Sequence, residues 1–200
     1  MEGVHLTTRG NDFWYWEKVI SHEICKKLIN LGKGKWNQAT TFGSAKEGKS
    51  LVGIRKSDIV WINEQWVYDL IWDYMLTANE RAGWKYNIVA AEDCQVTRYI
   101  KDGFYTWHKD GMGSHNEVIN EPDNKFLHGN TRKLSMSIVL NSNFEGGDFE
   151  MVGLDDENKV SSLEEGSIII FPSFQDHRVA PVTKGIRYSL VAWFLGPPFR

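Results

Sequence analysis

Beyond residue 93 the spacing of apolar residues shortens from a helical repeat to that of a strand. Short runs at Cys94–Ile100, Lys133–Asn141, Asp148–Val152, Ser167–Phe171 and Arg187–Phe194 follow one another, with Glu145-Gly-Gly-Asp148 and Glu164-Glu-Gly166 as turns between them. Glycine and acidic residues at such points let the chain reverse. Several short strands with glycine turns and little helix predict a mainly β fold, a sandwich or barrel of the jelly-roll kind.

Ahead of these runs the pattern is helical. Ser21 is placed to cap a helix over His22–Leu31, with Ile24, Leu28 and Leu31 as its apolar stripe and Gly32 as its stop. Asn63 is placed to cap a longer helix reaching Ala82, with a stripe of Trp66, Leu70, Ile71, Tyr74, Met75 and Ala78. Asp58–Ile62 reads as a short strand, and Lys33–Ser50, rich in Gly and Lys, as a loop. Gly111–Thr131 is polar and without period; so long a loop inside a compact domain is functional or mobile. No repeat and no low-complexity linker interrupts the 200 residues, which predicts one domain.

Composition narrows the function classes. An apolar fraction of 42% suits a soluble protein with a sizeable core, to which most of the nine Trp belong. A net charge of −3 without a strong basic block disfavours nucleic-acid backbone as a partner, although Lys26–Lys35 with Lys46, Lys49, Arg55 and Lys56 could form a local patch. Cys25 and Cys94 are too few for a disulfide framework or a Cys-rich zinc site, so a reducing cytoplasm is the expected location. No run approaches the roughly 18 apolar residues of a membrane span, and the first ten residues lack the apolar centre of a signal peptide. No Gly-x-Ser-x-Gly turn or Walker-type loop is present for serine-hydrolase or nucleotide chemistry.

The residues that carry chemistry are His108, Asp110, His177 and Arg187. His108 and Asp110, one residue apart, share one side of an extended chain, and Lys109 points away. His177 follows an apolar strand and a turn, which can deliver it to the open end of a barrel. Two His and one carboxylate leave coordination positions open, the donor set of non-haem Fe(II) oxygenases. Hydrolytic zinc takes a similar set, but a His-Glu-x-x-His helix and a second carboxylate to act as base are both missing. Arg187 and Ser189 share a face of the last strand, and a guanidinium fork binds a carboxylate through two hydrogen bonds. A dicarboxylate co-substrate beside the metal accounts for that Arg, and Tyr99 can hydrogen-bond the same molecule. Each residue alone has a bland alternative: a surface polar pair, a loop His, a paired Arg, a core aromatic. Their combination points to a metal site. His5 and His22 are expected at the surface; His115 and His128 lie in the loop after Asp110 and could approach substrate.

These segments resemble the 2-oxoglutarate- and Fe(II)-dependent oxygenases, specifically the prolyl-4-hydroxylase-like branch. Tyr99-x3-Gly103-Phe104-x2-Trp107-His108-x-Asp110 is similar to the first motif of that branch. Arg132–Asn141 with Phe144–Phe149 is similar to its middle strands and turn. Glu165–Pro172, His177 and Pro181-Val-Thr-x-Gly185-x-Arg187-Tyr-Ser189-Leu are similar to its last motif. The resemblance implies a double-stranded β-helix core over residues 91–198, with residues 1–90 as a helical and mixed support region. It implies Fe(II) on His108, Asp110 and His177, and 2-oxoglutarate held by Arg187 with Tyr99 and Ser189 as partners. Dioxygen is the further co-substrate and L-ascorbate a candidate reductant. The implied reaction hydroxylates an unactivated C–H bond, of a prolyl or other protein side chain, releasing succinate and CO2. Gly111–Thr131 would be the lid, with Trp107 and Phe104 near the substrate. A small-molecule hydroxylase of the same class and a non-catalytic jelly-roll binding module are the alternatives. Asp110 argues against the related halogenases, which carry a small residue there. Trp193, six residues past Arg187, argues against the nucleic-acid dealkylating branch, which carries a second Arg at that place.

Overall fold

The computed structural model describes residues 12–39, 53–111, 118–152, 158–161 and 163–198. His5, His115, Lys46 and Lys49 lie outside the described residues. In chain order the elements of the first half are β1 (Trp14–Trp16), α1 (His22–Leu31), β2 (Asn37–Gln38), β3 (Arg55–Lys56), β4 (Asp58–Ile62), α2 (Gln65–Arg81), β5 (Ala90–Ala91) and β6 (Cys94–Tyr99). The second half adds β7 (Phe104–His108), β8 (Thr131–Val139), β9 (Phe144–Gly146), β10 (Phe149–Val152), β11 (Asn158–Ser161), β12 (Ile168–Pro172), β13 (His177–Val179), β14 (Val182–Gly185) and β15 (Arg187–Gly196).

A large sheet runs in the order β1-β12-β8-β15-β6-β4-β2, with β5 also on β15, and a smaller one in the order β11-β10-β13-β7-β3. All these pairings are antiparallel, and β14 pairs with β9 beside them. This is the expected jelly roll, a double-stranded β-helix. Its sheets also take β1 to β4 from the region expected only to support the core.

Alternation along the long strands builds two apolar layers. Leu134, Met136 and Ile138 of β8 stand opposite Phe194, Ala192 and Leu190 of β15. All six are buried and pack with Leu28 of α1 and Ile71, Met75 and Ala78 of α2. Phe13, Tyr99, Phe149, Met151, Ile169, Phe171, Val179 and Val182 form the second layer, between the sheets. Aromatic side chains contribute most of its buried area. On β8 and β15 the inward positions of this layer carry Ser135, Ser137, Arg187 and Ser189, all buried. That polar face at one end of an otherwise apolar barrel positions the site.

Near the barrel end the β8–β15 register slips by one: Leu134 faces Phe194, but Arg132 faces Leu195. The slip takes Lys133 out of the ladder and turns Arg132 onto the inner face, where its guanidinium stacks 4.1 Å over the Trp193 ring.

The first helix begins where expected, with Ser21 accepting from the Ile24 amide. The second differs. Glu64, not Asn63, occupies its N-cap position and makes no side-chain cap bond. Val67 is buried where Trp66 and Leu70 were expected, and those two lie at the flank of the core. The smaller Val67 fits the line of Ile71, Met75 and Ala78 against the sheet. Asn79 fixes the helix end, donating to the Tyr86 carbonyl and accepting from its amide. Within the expected loop Lys33–Ser50, Asn37 and Gln38 instead pair with Ile59 and Asp58. Arg55 is not part of a surface patch: it is buried and its Nε donates to Ser57 Oγ at 2.8 Å. Cys25 and Cys94 are both free and buried. Among the described residues no helix is long and apolar enough to cross a membrane.

Candidate metal centre

The central pair is set by strand register. β7 and β13 lie side by side, with His177 opposite His108 and the ring centroids 4.2 Å apart. Each ring is oriented by a carbonyl two residues back: His108 Nδ1 donates to Thr106 O at 2.8 Å, and His177 Nδ1 to Gln175 O at 3.0 Å. A neutral imidazole that donates through Nδ1 keeps a lone pair on Nε2. Both Nε2 atoms face Asp110, at 4.0 Å from Oδ1 for His108 and 3.7 Å from Oδ2 for His177.

Asp110 lies just past the end of β7, in a bend, and is tied there from two sides. Its amide donates to Ser173 O at 2.9 Å, and its Oδ2 accepts from Ser135 Oγ at 2.6 Å. Ser135 Oγ in turn lies 2.9 Å from Ser173 Oγ. Lys109 turns outward to Asp176, as alternation predicts. The three ligand atoms lie within 4.8 Å of one another. Separations of 3.7 and 4.0 Å are too long for hydrogen bonds and suit donors arranged around a common ion.

Electrostatics agree with that use. Burial and the neighbouring His177 push His108 down to about 3, so its ring is neutral at ordinary pH and its lone pair is free for a metal. Burial alone would raise the Asp110 carboxyl. His177, His108, Arg132 and the Ser135 hydrogen bond outweigh that effect and hold it below the usual carboxylate range. Two imidazole nitrogens and one carboxylate, the only such group among the described residues, fit a divalent cation with open positions. Tyr105 stacks on His108 with centroids 3.5 Å apart, and Arg55 covers the other face of Tyr105 at 4.6 Å. Burial pushes the Tyr105 phenol up to about 12. Phe171 and Phe149 wall the His177 ring at 4.7 and 5.6 Å.

Arg187 starts β15 opposite Tyr99 of β6. It is 2% exposed, and no carboxylate among the described residues forms an ion pair with it. Its Nη1 donates to Ser189 Oγ at 3.2 Å, and its guanidinium lies 5.6 Å from the Tyr99 ring centroid. Burial pulls its pKa below the usual Arg value, against Tyr99 and Asp148. A cavity of about 350 Å³ opens beside it, lined by Val139, Asn141, Phe144, Gly147 and Phe149 among others. Phe149 joins that cavity to His177. A buried guanidinium facing a cavity is suited to a carboxylate that arrives with a ligand.

Other expected residues fall elsewhere. Trp107 packs under Arg178 at 4.9 Å, on the side of β7 away from His108, and Phe104 is half-buried beside Lys56. His22 is exposed and bonded to Glu165, and His128 is exposed. Sequence reasoning passed over Ser135, Ser173, Arg132 and Tyr105. The available signal was a Ser at inward positions of an otherwise apolar strand, in Leu134-Ser-Met-Ser-Ile138.

A double-stranded β-helix holding two His and one carboxylate at its open end, with a buried Arg deeper in, defines a non-haem iron oxygenase. The chain belongs to the 2OG-Fe(II) oxygenase superfamily, whose family model matches residues 94–195. It is accordingly an oxidoreductase, a dioxygenase that uses Fe(II) and 2-oxoglutarate. A PKHD-type hydroxylase of Synechococcus sp. (strain CC9311) is 28% identical over 189 residues, 88% of this chain and 74% of the relative. A second, of Gloeothece citriformis (strain PCC 7424), is 37% identical over 75 residues, 36% of this chain and 34% of the relative. The fold is also that of a Pseudomonas putida prolyl-4-hydroxylase (TM-score 0.68, 20% identity, 92% of each chain). A viral collagen prolyl hydroxylase from Paramecium Bursaria Chlorella virus-1, solved as its 2OG complex, shares it as well (TM-score 0.66, 18% identity, 94% of this chain and 97% of that one). A Trichoplax adhaerens prolyl hydroxylase in complex with a hypoxia inducible factor peptide fragment gives a TM-score of 0.71 at 19% identity, over 92% of this chain and 83% of that one.

Proposed function

We propose that this dioxygenase hydroxylates an unactivated C–H bond of a prolyl or other protein side chain, releasing succinate and CO2. The observation that carries the reading is the convergence of His108, Asp110 and His177 at the barrel mouth, one aromatic contact away from the Arg187 cavity. Fe(II), when bound with 2-oxoglutarate and O2, supplies the oxidising power that no side chain has.

The chain's own residues supply the rest. His108 and His177 would offer Nε2 to the metal, and Asp110 a carboxylate oxygen. Arg187 would pair with the far carboxylate of 2-oxoglutarate, with Ser189 and Tyr99 keeping the guanidinium in line. Phe149, Phe171 and Tyr105 exclude water from the histidines, which strengthens every charge interaction inside the site. Gly111–Thr131 begins one residue past Asp110, where a lid over the substrate would hinge; its residues 112–117 lie outside the described residues. A protein substrate is favoured by the shared architecture with a prolyl hydroxylase solved with a peptide fragment. Trp107 packs on the other side of β7 and is not carried into this reading. A cytoplasmic location is proposed from the two unpaired cysteines.

The test is succinate formation from 2-oxoglutarate with Fe(II), ascorbate and O2, comparing wild type with His108→Ala. It is run without substrate, then with pooled peptides and with cell extract. Metal- and His108-dependent succinate that rises with one peptide pool is the expected result. Stimulation only by the small-molecule fraction of the extract would move the substrate out of the protein class. Metal-loaded protein with no turnover in any condition would leave a binding module.

A further inference from the structure

A groove of about 510 Å³ lies on the same inner face as the triad, outside the Arg187 cavity. The connection runs through cross-strand neighbours. Ser135, which holds Asp110, stands opposite Trp193. The Trp193 ring is 5.8 Å from Trp61, and Trp61 lines the groove. On the other side of Trp193, Arg132 is fastened by Nε and Nη2 to the two oxygens of Glu92, another lining residue. Directly opposed side chains on one face of a sheet lie about 5 Å apart, so the groove begins one or two side chains from the metal centre.

Its lining combines exposed rings with uncompensated acid. Trp61 is 50% exposed, Val89 50% and Phe126 62%, in a chain that buries most of its large apolar residues. Asp93 and Glu121 line the same groove and form no ion pair among the described residues, whereas Glu92 is taken by Arg132. No Lys, Arg or His is among the described lining residues. Two cations border it: Arg132, spent on Glu92, and Lys125, whose Nζ lies 5.3 Å from the Phe126 ring centroid. Exposed indole and phenyl faces beside carboxylates attract an ammonium or guanidinium carried on an apolar stem.

We propose that this groove holds a basic, apolar-containing segment of the polypeptide substrate, a Lys or Arg flanking the residue presented to the triad. The inference rests on the hydroxylase reading and deepens it by naming the charge of the substrate. Trp61 and Phe126 grip the side-chain stem, Asp93 and Glu121 meet the cation, and the Arg132–Glu92 pair forms the wall between groove and metal. An acidic substrate segment would meet like charge at Asp93 and Glu121.

The experiment measures fluorescence anisotropy of two labelled twelve-residue peptides with the same Pro and Phe content, one carrying four lysines and the other four glutamates. The protein is loaded with Mn(II) and 2-oxoglutarate, so no turnover is needed. The lysine peptide is expected to bind at least about tenfold more tightly than the glutamate peptide. Asp93→Lys combined with Glu121→Lys, both exposed positions, should reverse the order. Trp61→Ala should weaken the lysine peptide alone. Equal affinities, no binding of the lysine peptide, or a charge-reversed variant that keeps the wild-type preference would overturn the proposal. So would displacement of the peptide by spermidine as effective as that by unlabelled peptide, since the groove would then be a small-cation site. Succinate assays on wild type separate the two ideas. Turnover without charge preference overturns the groove alone, and charge preference without turnover overturns the hydroxylase reading alone.

Discussion

Ser135 does more for the metal centre than its size suggests. Its hydroxyl donates to Asp110 Oδ2 at 2.6 Å while Ser173 Oγ, 2.9 Å away, holds it in place. Hydrogen bonds that orient metal ligands from behind are worth about 10–100-fold in metal affinity. Ser135→Ala should therefore weaken Mn(II) or Co(II) binding by that factor in calorimetric titration, and Ser135→Thr, which keeps the hydroxyl, should recover most of it. His108 gives a second expectation. Burial holds its folded-state pKa at about 3, below the 6.5 of a free imidazole. The unfolded chain then binds the proton more readily, so metal-free protein loses stability as pH falls below about 6.5, by about 2 kcal/mol between pH 7 and 5 from this group. Asp110, with its pKa held low, contributes stability that disappears only further into acid. Denaturant titrations of metal-free wild type and His108→Gln at both pH values check this: the variant should lose less on acidification.

At the scale of elements, the turn at Glu165-Gly166 joins the N-terminal region to the barrel. Gly166 has φ +80° and its carbonyl accepts from the Ile20 amide at 3.0 Å. A Cβ there would sit 2.2 Å from the Ile20 carbonyl oxygen. Gly166→Ala should cost about 1–3 kcal/mol and lower the melting temperature, read by circular dichroism, because both the backbone and the contact are strained. Helix α1 and strands β4, β6 and β12 were legible in the chain because an apolar period marks each of them. Strands β1, β2, β3, β9, β13 and β14, with two to four residues each, were not. Such pieces hold through partners distant in sequence, as Trp14 does on Ile170, and carry too few positions to display a period. The triad was readable from residue types and spacing. Its hydrogen-bonded backing was not, because the closeness of Ser135, Ser173 and Asp110 depends on how β8, β12 and β7 lie against one another.

For the whole molecule, two apolar layers share one sheet. The helix-side layer includes Trp16 against Tyr74 at 5.1 Å, and the barrel layer ends in Phe149 and Phe171 against His177. Filling the metal centre should therefore stabilise the fold globally. A metal at 100 times its dissociation constant adds about 2.7 kcal/mol, visible as a rise in melting temperature on Mn(II) addition and its loss with chelator. His108→Ala should melt at one temperature with or without metal. The cysteines carry a consequence for the lifetime of such a catalyst. Burial pushes the thiols of Cys25 and Cys94 up to about 11 and about 12. Sulfenylation proceeds through an accessible thiolate, and neither sulfur offers one near neutrality. Peroxide leaking from idle encounters of ferrous ion with oxygen would find neither cysteine ready to react, so inactivation during prolonged cycling should not run through a thiol and should lie beyond rescue by dithiothreitol.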